Sequence, residues 1–270
     1  MNQPFADHAV VITGASGGIG AELARQLADQ GAWLALGARR AHELDVVAQE
    51  CIARGGRALV VPTDVTDAAQ CAQLVARTRE AYGKMNVLIN NAGLRAHFAF
   101  ADTRDLGVFE QVMRVSYLGS VYCTHAALPA LRESRGRLVA MSSLAGKTGV
   151  PLRTAYAASK HALHGFFDSL RIELAGTGVS VTLVCPGFVN TGPGVHALGP
   201  DGAALAAEAL VRSDAMPLGE CARRTIRAVW RRQRELVMTP RARVAAVIKA
   251  VAPGVADRAA ARTMLGPGDD

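Results

Sequence analysis

Short apolar runs alternate with longer amphipathic stretches from one end of the chain almost to the other, and few architectures accommodate such an alternation. Continuous apolar runs suit strands buried on both faces, whereas apolar residues at helical spacing suit helices laid over those faces. The runs predict strands at Ala9–Thr13, Trp33–Gly37, Ala58–Pro62, Val87–Asn90, Arg137–Met141, Ser180–Val184 and Glu235–Thr239. Helices are predicted near 19–30, 41–54, 67–82, 105–134 and 154–176. In the last, Leu163, Phe166, Phe167 and Leu170 form one stripe for a core or a subunit interface. The implied class is α/β, a doubly wound parallel sheet of seven strands in a single domain. No repeat, low-complexity tract or Pro/Ser-rich linker divides it, so the expected domain is 1–240, followed by a basic amphipathic extension, 241–270. Between Phe188 and Leu218 the alternation lapses into Gly, Pro and Ala with a short helix expected near 202–212. That excursion, 188–218, is placed to act as a substrate lid.

With half its 270 residues hydrophobic and a fifth charged, the chain is neither a disordered polyelectrolyte nor a disulfide miniprotein. No apolar run approaches the roughly 18 residues of a spanning helix, and Met1–Asp7 lacks a basic n-region, so a cytoplasmic location is expected. Five cysteines, Cys51, Cys71, Cys123, Cys185 and Cys221, stand singly with no zinc-site spacing and read as reduced. His161 and His164 are three apart on a helix, but no third ligand stands at a suitable spacing, and no metal is expected. The basic excess is local. From Cys221 to Arg262 there are eleven Lys and Arg against Glu235 and Asp257, a net +9 in a chain of +7.

The first strand runs into Thr13-Gly14-Ala15-Ser16-Gly17-Gly18-Ile19-Gly20 and then into a helix. A sharp turn, a close approach of backbone to a pyrophosphate and tight helix–strand packing each favour glycine, and the helix N-terminus offers unpaired N–H groups to an anion. This is a Rossmann-like dinucleotide site, although its spacing, GxxxGxG, differs from the GxGxxG fingerprint. At the end of the second strand, where a carboxylate would favour NAD(H), the chain instead has Arg39 and Arg40 after Ala38. Two guanidinium groups suit a 2′-phosphate, so the expected cofactor is NADP(H).

Tyr156 and Lys160, four apart, share one helical face, and Ser143 lies after the fifth strand. A phenol with an ordinary pKa of about 10 is a poor proton shuttle at neutral pH unless a cation favours its phenolate. Lys160 is the expected cation, and the Ser143 hydroxyl can hold a substrate oxygen.

These motifs in order, with Asp64-Val65, Asn90-Asn91-Ala92-Gly93 and Pro186-Gly187 before Thr191, resemble the short-chain dehydrogenase/reductase family over residues 8 to about 191. The resemblance implies that the cofactor is held by Gly14, Ser16, Gly18, Ile19, Gly20, Asn91, Ala92, Gly93, Pro186, Gly187, Val189 and Thr191, with Asp64 and Val65 at the adenine. It further implies that Lys160 binds the nicotinamide ribose and that Tyr156 is the general acid in reduction and base in oxidation. Ser143 would orient the carbonyl. The family commonly has asparagine in a Val-Asn-x-x-Gly segment, holding a water of the proton relay. This chain reads Val115-Ser116-Tyr117-Leu118-Gly119, so Ser116 is the candidate relay residue, with an altered pH profile expected.

The C-terminal end resembles that of hydroxysteroid and retinol dehydrogenase relatives. Val244, Val247, Ile248 and Val251 fall on one face of a basic helix within 241–262. Such a helix suits peripheral contact with an anionic membrane, the protein's own core or a sister subunit. Nucleic acid is disfavoured because Trp230 is the lone interleaved aromatic. The expectation is an oxidoreductase moving hydride between NADP(H) and a lipophilic secondary alcohol or ketone. The lid's Phe188, Val189, Val195, Leu198, Leu205 and Leu210, with few charges before Arg212, argue for an apolar substrate. The rivals are reduction of 3-oxoacyl groups on an acidic carrier protein and, in another class, NADP(H) sensing without turnover. Family precedent implies a homodimer or homotetramer built on the helices near 105–134 and 154–176.

Overall fold

The computed structural model describes residues 3–191, 197–205 and 215–264. In chain order its strands are β1 (Ala9–Thr13), β2 (Trp33–Ala38), β3 (Arg57–Pro62), β4 (Val87–Asn90), β5 (Arg95–Ala96), β6 (Arg137–Met141), β7 (Ser180–Cys185), β8 (Val189–Asn190), β9 (Ala197–Leu198), β10 (Met216–Pro217) and β11 (Glu235–Val237). The helices are α1 (Gly18–Ala28), α2 (Ala41–Ala53), α3 (Ala68–Tyr82), α4 (Gly107–Met113), α5 (Gly119–Glu133), α6 (Thr154–Glu173), α7 (Leu218–Trp230), α8 (Pro240–Val251) and α9 (Pro253–Met264).

Seven strands form one parallel sheet in the order β11-β7-β6-β4-β1-β2-β3. All seven are strands anticipated from the apolar runs, with ends shifted by a residue or two. Alternation along each strand feeds two cores. Val10, Ile12, Leu34, Leu36 and Ile89 pack with Leu23, Leu27, Leu44 and Val229 on the face covered by α1, α2 and α7. Val11, Ala35, Leu88 and Leu138 pack with Leu74, Leu131, Leu163 and Phe167 on the face covered by α3, α5 and α6. Each of the Val, Leu, Ile and Phe side chains among them contributes roughly 1.5–3 kcal/mol by leaving water, so both faces resist slippage of the strand register. The stripe on α6 is therefore mostly core: Leu163, Phe167 and Leu170 are buried, and Phe166 packs partly buried beside them.

Helix ends follow local chemistry. Asp67 caps α3 by accepting from the Ala69 and Gln70 amides, and Gly83, at φ +68°, closes it in the left-handed conformation that glycine tolerates. The chain order reverses between β1 and β4, so the crevice beyond their carboxyl ends is where an open α/β sheet binds ligands.

The excursion after β7 is pinned at its described parts. β8 pairs with β10 and β9 with β5. The helix expected near 202–212 is not formed at 202–205, where Ala204 bridges Leu198 and the Leu205 amide donates to the Ala197 carbonyl. Val195, Leu210 and Arg212 lie outside the described residues. The single basic helix expected over 241–262 is instead two, because Pro253 has no N–H to continue α8 and takes the first position of α9. Val244, Val247 and Val251 are 57%, 62% and 76% exposed, so this stripe does not cover the core. Among the described residues no helix is long and apolar enough to cross a membrane.

Candidate active site

The turn from β1 into α1 is a cradle made of backbone. Gly14 and Gly18 have φ +65° and +53°. A Cβ on Gly20 would lie 2.3 Å from the Gly14 carbonyl oxygen and 2.5 Å from Asn91 Nδ2, so only glycine lets α1 approach this closely. Asn91 ties the turn to β4: its amide nitrogen Nδ2 donates to the carbonyls of Thr13 (2.9 Å) and Gly14 (3.2 Å). Thr13 Oγ1 accepts in turn from the Asn91 and Ala92 amides, both at 3.0 Å. Helix α1 starts at Gly17 with no side-chain cap and no acid in its first turn, which leaves its N-terminal N–H groups for an anion.

The Arg40 guanidinium donates to Ser16 Oγ at 3.1 Å and so lies across this turn, with Glu43 3.6 Å away. Arg39 borders a cleft of about 350 Å³ with Asp64, Thr66, Glu110, Gln111 and Arg114. Asp64 Oδ1 accepts from Thr66 N and Oγ1 at 2.9 and 2.8 Å, fixing the loop, and Val65 is buried behind it.

At the carboxyl end of β6, Ser143 begins a short 3₁₀ turn, Leu144–Gly146, and its hydroxyl accepts from the Ala145 amide. The Tyr156 phenol, in the first turn of α6, comes near enough to this hydroxyl to be influenced by it. Lys160 follows one turn later, buried, its ammonium donating to the Met141 carbonyl at 2.7 Å and lying 5.6 Å from the Tyr156 ring centre. A Cβ on Gly93 would meet Lys160 Nζ at 3.5 Å and Ser116 Oγ at 3.7 Å, so the loop after β4 also borders this group. Pro186 accepts from the Leu144 amide at 2.9 Å, and Gly187 has open space where its side chain would be. Val189 and Thr191 are half-buried beyond it.

A family model described as short chain dehydrogenase matches residues 8–197. The chain belongs to that family. It is 40% identical over 183 residues to an 11-beta-hydroxysteroid dehydrogenase-like 3 of Arabidopsis thaliana, covering 67% of this chain and 59% of that protein. It is 34% identical over 255 residues to a dehydrogenase/reductase SDR family protein 7-like of Dictyostelium discoideum, covering 92% and 79%. The chain thus spans less than two thirds of the plant relative. Among solved structures, a short chain dehydrogenase/reductase from Burkholderia phymatum in complex with NAD superposes with a TM-score of 0.82 at 24% identity, over 93% of this chain and 96% of that one. An alcohol dehydrogenase from Thermococcus sibiricus complexed with 5-hydroxy-NADP gives 0.72 at 25% identity, over 85% and 94%.

The electrostatics of this short-chain dehydrogenase differ from the sequence expectation in one respect. Burial is the main influence on Tyr156 and pushes its phenol up. The Ser143 hydroxyl and the guanidinium groups of Arg95 and Arg153 pull it back, in that order. Lys160, expected to be the cation lowering the phenol, is itself pushed down to about 8 by burial. Arg95, His97 and Arg153 were not legible as site residues: Arg95 and His97 follow the Asn-Asn-Ala-Gly segment with no motif of their own, and only the topology brings Arg153 to them.

Ser116 lies fully buried in a π-helical turn, Arg114–Leu118, between α4 and α5. Its hydroxyl accepts from the Leu94 amide at 3.0 Å. His161 and His164 do not converge: His161 Nδ1 meets the Ala157 carbonyl, while His164 gathers with Cys185 and Glu235. The Glu235 carboxylate there is engaged by the Lys147 ammonium at 2.8 Å, and burial holds His164 down to about 4. A cation would have to displace that ammonium, so the cluster reads as a buried polar network.

Proposed function

We propose that this oxidoreductase uses NADP(H) to interconvert a secondary alcohol and a ketone, with Tyr156 donating the proton in reduction and accepting it in oxidation. When bound, the nicotinamide cofactor supplies the two-electron reduction of the substrate carbon or takes up the same electrons in reverse. The cradle fits such a group: the uncapped start of α1 and the glycines at 14, 17, 18 and 20 would take the pyrophosphate, and Ile19, Asn91, Ala92 and Gly93 would border it. Arg39 and Arg40, with no carboxylate on β2 beside them, would hold a 2′-phosphate. Asp64 and Val65 would border the adenine, and Pro186, Gly187, Val189 and Thr191 the nicotinamide.

The observation carrying this reading is the meeting, at the carboxyl end of β6, of the Ser143 hydroxyl with the Tyr156 phenol and, 5.6 Å from the centre of its ring, the Lys160 ammonium. Ser143 can donate to a carbonyl oxygen and hold it against the phenol. Lys160 orients toward the Met141 carbonyl and would meet the nicotinamide ribose. Ser116, touching the loop after β4, stands behind the lysine as a positioning residue of the proton path. Half-buried Leu144, Phe188 and Val189 support a substrate with an apolar body.

Tyr156→Phe removes the exchangeable proton and little else. Reduced-cofactor oxidation across steroid, fatty and aromatic ketones should fall by about 10²- to 10⁴-fold while cofactor affinity is retained. Equal turnover in the variant rejects the assignment. Tight NADP(H) binding by the native protein without turnover of any ketone would instead favour a sensor.

A further inference from the structure

Two guanidinium groups, those of Arg95 and Arg153, act on the Tyr156 phenol, and Arg153 also acts on His97, a concentration of basic groups that proton exchange alone does not call for. Successive side chains of an extended segment point to opposite faces. Ala96 and Phe98 are buried against Val108, Val112, Ala155 and Leu198, which sends Arg95 and His97 together to the other side, where both are half-buried. The backbone fixes that side. The His97 amide donates to the Leu198 carbonyl at 3.0 Å, and the Phe98 amide to the Leu152 carbonyl at 2.8 Å, holding the segment beside the residue preceding Arg153.

Arg153 stands three residues before Tyr156, at the start of α6, with its guanidinium 5.1 Å over the Phe188 ring. His97 Nδ1 is buried without a hydrogen-bond partner among the described residues. Neither guanidinium belongs to the cofactor cradle, which lies at the ends of β1, β2 and β4.

We propose that the substrate carries a carboxylate, seated by Arg95, Arg153 and His97, at the end of an apolar body that lies along Phe188. This rests on the oxidoreductase reading above and narrows its substrate to oxo acids and hydroxy acids. The planar fork of arginine matches the two oxygens of a carboxylate, and the Phe188 ring lies under the Arg153 guanidinium. The anion also offsets what the cations do to the phenol, so a bound acid leaves Tyr156 holding its proton for donation. To the lipophilic substrate expected from the apolar residues of the excursion after β7, the proposal adds a charged end, met by groups from β5 and the start of α6.

The test compares para-acetylbenzoate and levulinate, each with its methyl ester, in native protein and in Arg95→Gln and Arg153→Gln. Native protein should prefer each acid in kcat/KM by about tenfold or more, and either substitution should lower the acid-to-ester ratio by about 10- to 100-fold, mainly through KM. Effects of the arginines on Tyr156 in the free enzyme enter kcat/KM alike for acid and ester and cancel in the ratio. Esters turned over as well as acids by native protein, which needs no variant to fold, would overturn the proposal. So would a ratio unmoved in folded variants. If neither ketone is reduced, calorimetric titration of the same acids and esters decides. Acid-selective binding that weakens in the variants keeps the carboxylate seat while the oxidoreductase reading falls, and binding indifferent to the charge removes the seat.

Discussion

At one end of the cleft, the proposed cofactor cradle is built from a single continuous stretch, Thr13–Gly20, whose glycines and amides would present backbone to the ligand. At the other end the proposed seat draws on three segments, Arg95 with His97, Arg153, and Phe188, and its recognition surface is their side chains. A site made of backbone needs particular residues at particular spacings, because a Cβ in the wrong place closes it. A site made of side chains needs only that the fold bring them together, and the chain between them is unconstrained. The first kind changes little without breaking the fold, while the second can change its ligand and leave the sheet alone.

The sharpest way to break this comparison is at Gly20. Alanine normally favours a helix interior over glycine by about 1 kcal/mol, yet at Gly20 its Cβ meets the Gly14 carbonyl and the Asn91 amide. Gly20→Ala should destabilise by about 1–3 kcal/mol in denaturant unfolding. Gly165→Ala, within α6 and with nothing within 4 Å of its new methyl, should stabilise by about 0.5–1 kcal/mol. If both glycines respond alike, the backbone cradle is not as tight as described. Next in size is Arg40→Asp, which should weaken NADP(H) by about 10- to 100-fold in a fluorescence titration and leave NAD(H) within a few-fold. An unchanged ratio would assign the guanidinium to its contact with Ser16 alone. The smallest effect is expected of Ser116→Asn, a rate change under about tenfold with a displaced pH profile, since an amide would reach further toward Lys160 than the hydroxyl does. Identical rate and pH dependence would take Ser116 out of the proton path.

What could be read ahead of the structure divides along the same line. All seven sheet strands were legible because strands buried on both faces must be continuously apolar. The glycine turn, and the sharing of one helical face by Tyr156 and Lys160, were legible because each depends on short-range spacing. The two residues of β5 are too few for any periodicity, and their pairing with β9 depends on chain a hundred residues away. The π-helical turn at Ser116 leaves no compositional trace. Nor does burial of Lys160, which a helical register alone places on a face without saying how dry that face is. The apolar stripe of α8 had the spacing of a buried face and is exposed, because spacing identifies a face and not its partner.

The depressed ammonium of Lys160 inverts the usual order in which the two groups of this helix surrender protons. Lysine, ordinarily the later of the pair to deprotonate, loses its charge here near pH 8, while the phenol is held above its ordinary range. As the solution is made alkaline, the amine therefore becomes neutral while Tyr156 still carries its hydrogen. The unfolded chain keeps the lysine charged to about 10.4, so between those two values it binds the extra proton and Lys160 by itself contributes stability that grows as pH rises, whereas the thiols of Cys51, Cys185 and Cys221, pushed up by burial, contribute in the opposite sense. The titration of Lys160 thus favours the folded chain over the same interval in which it strips that residue of its charge.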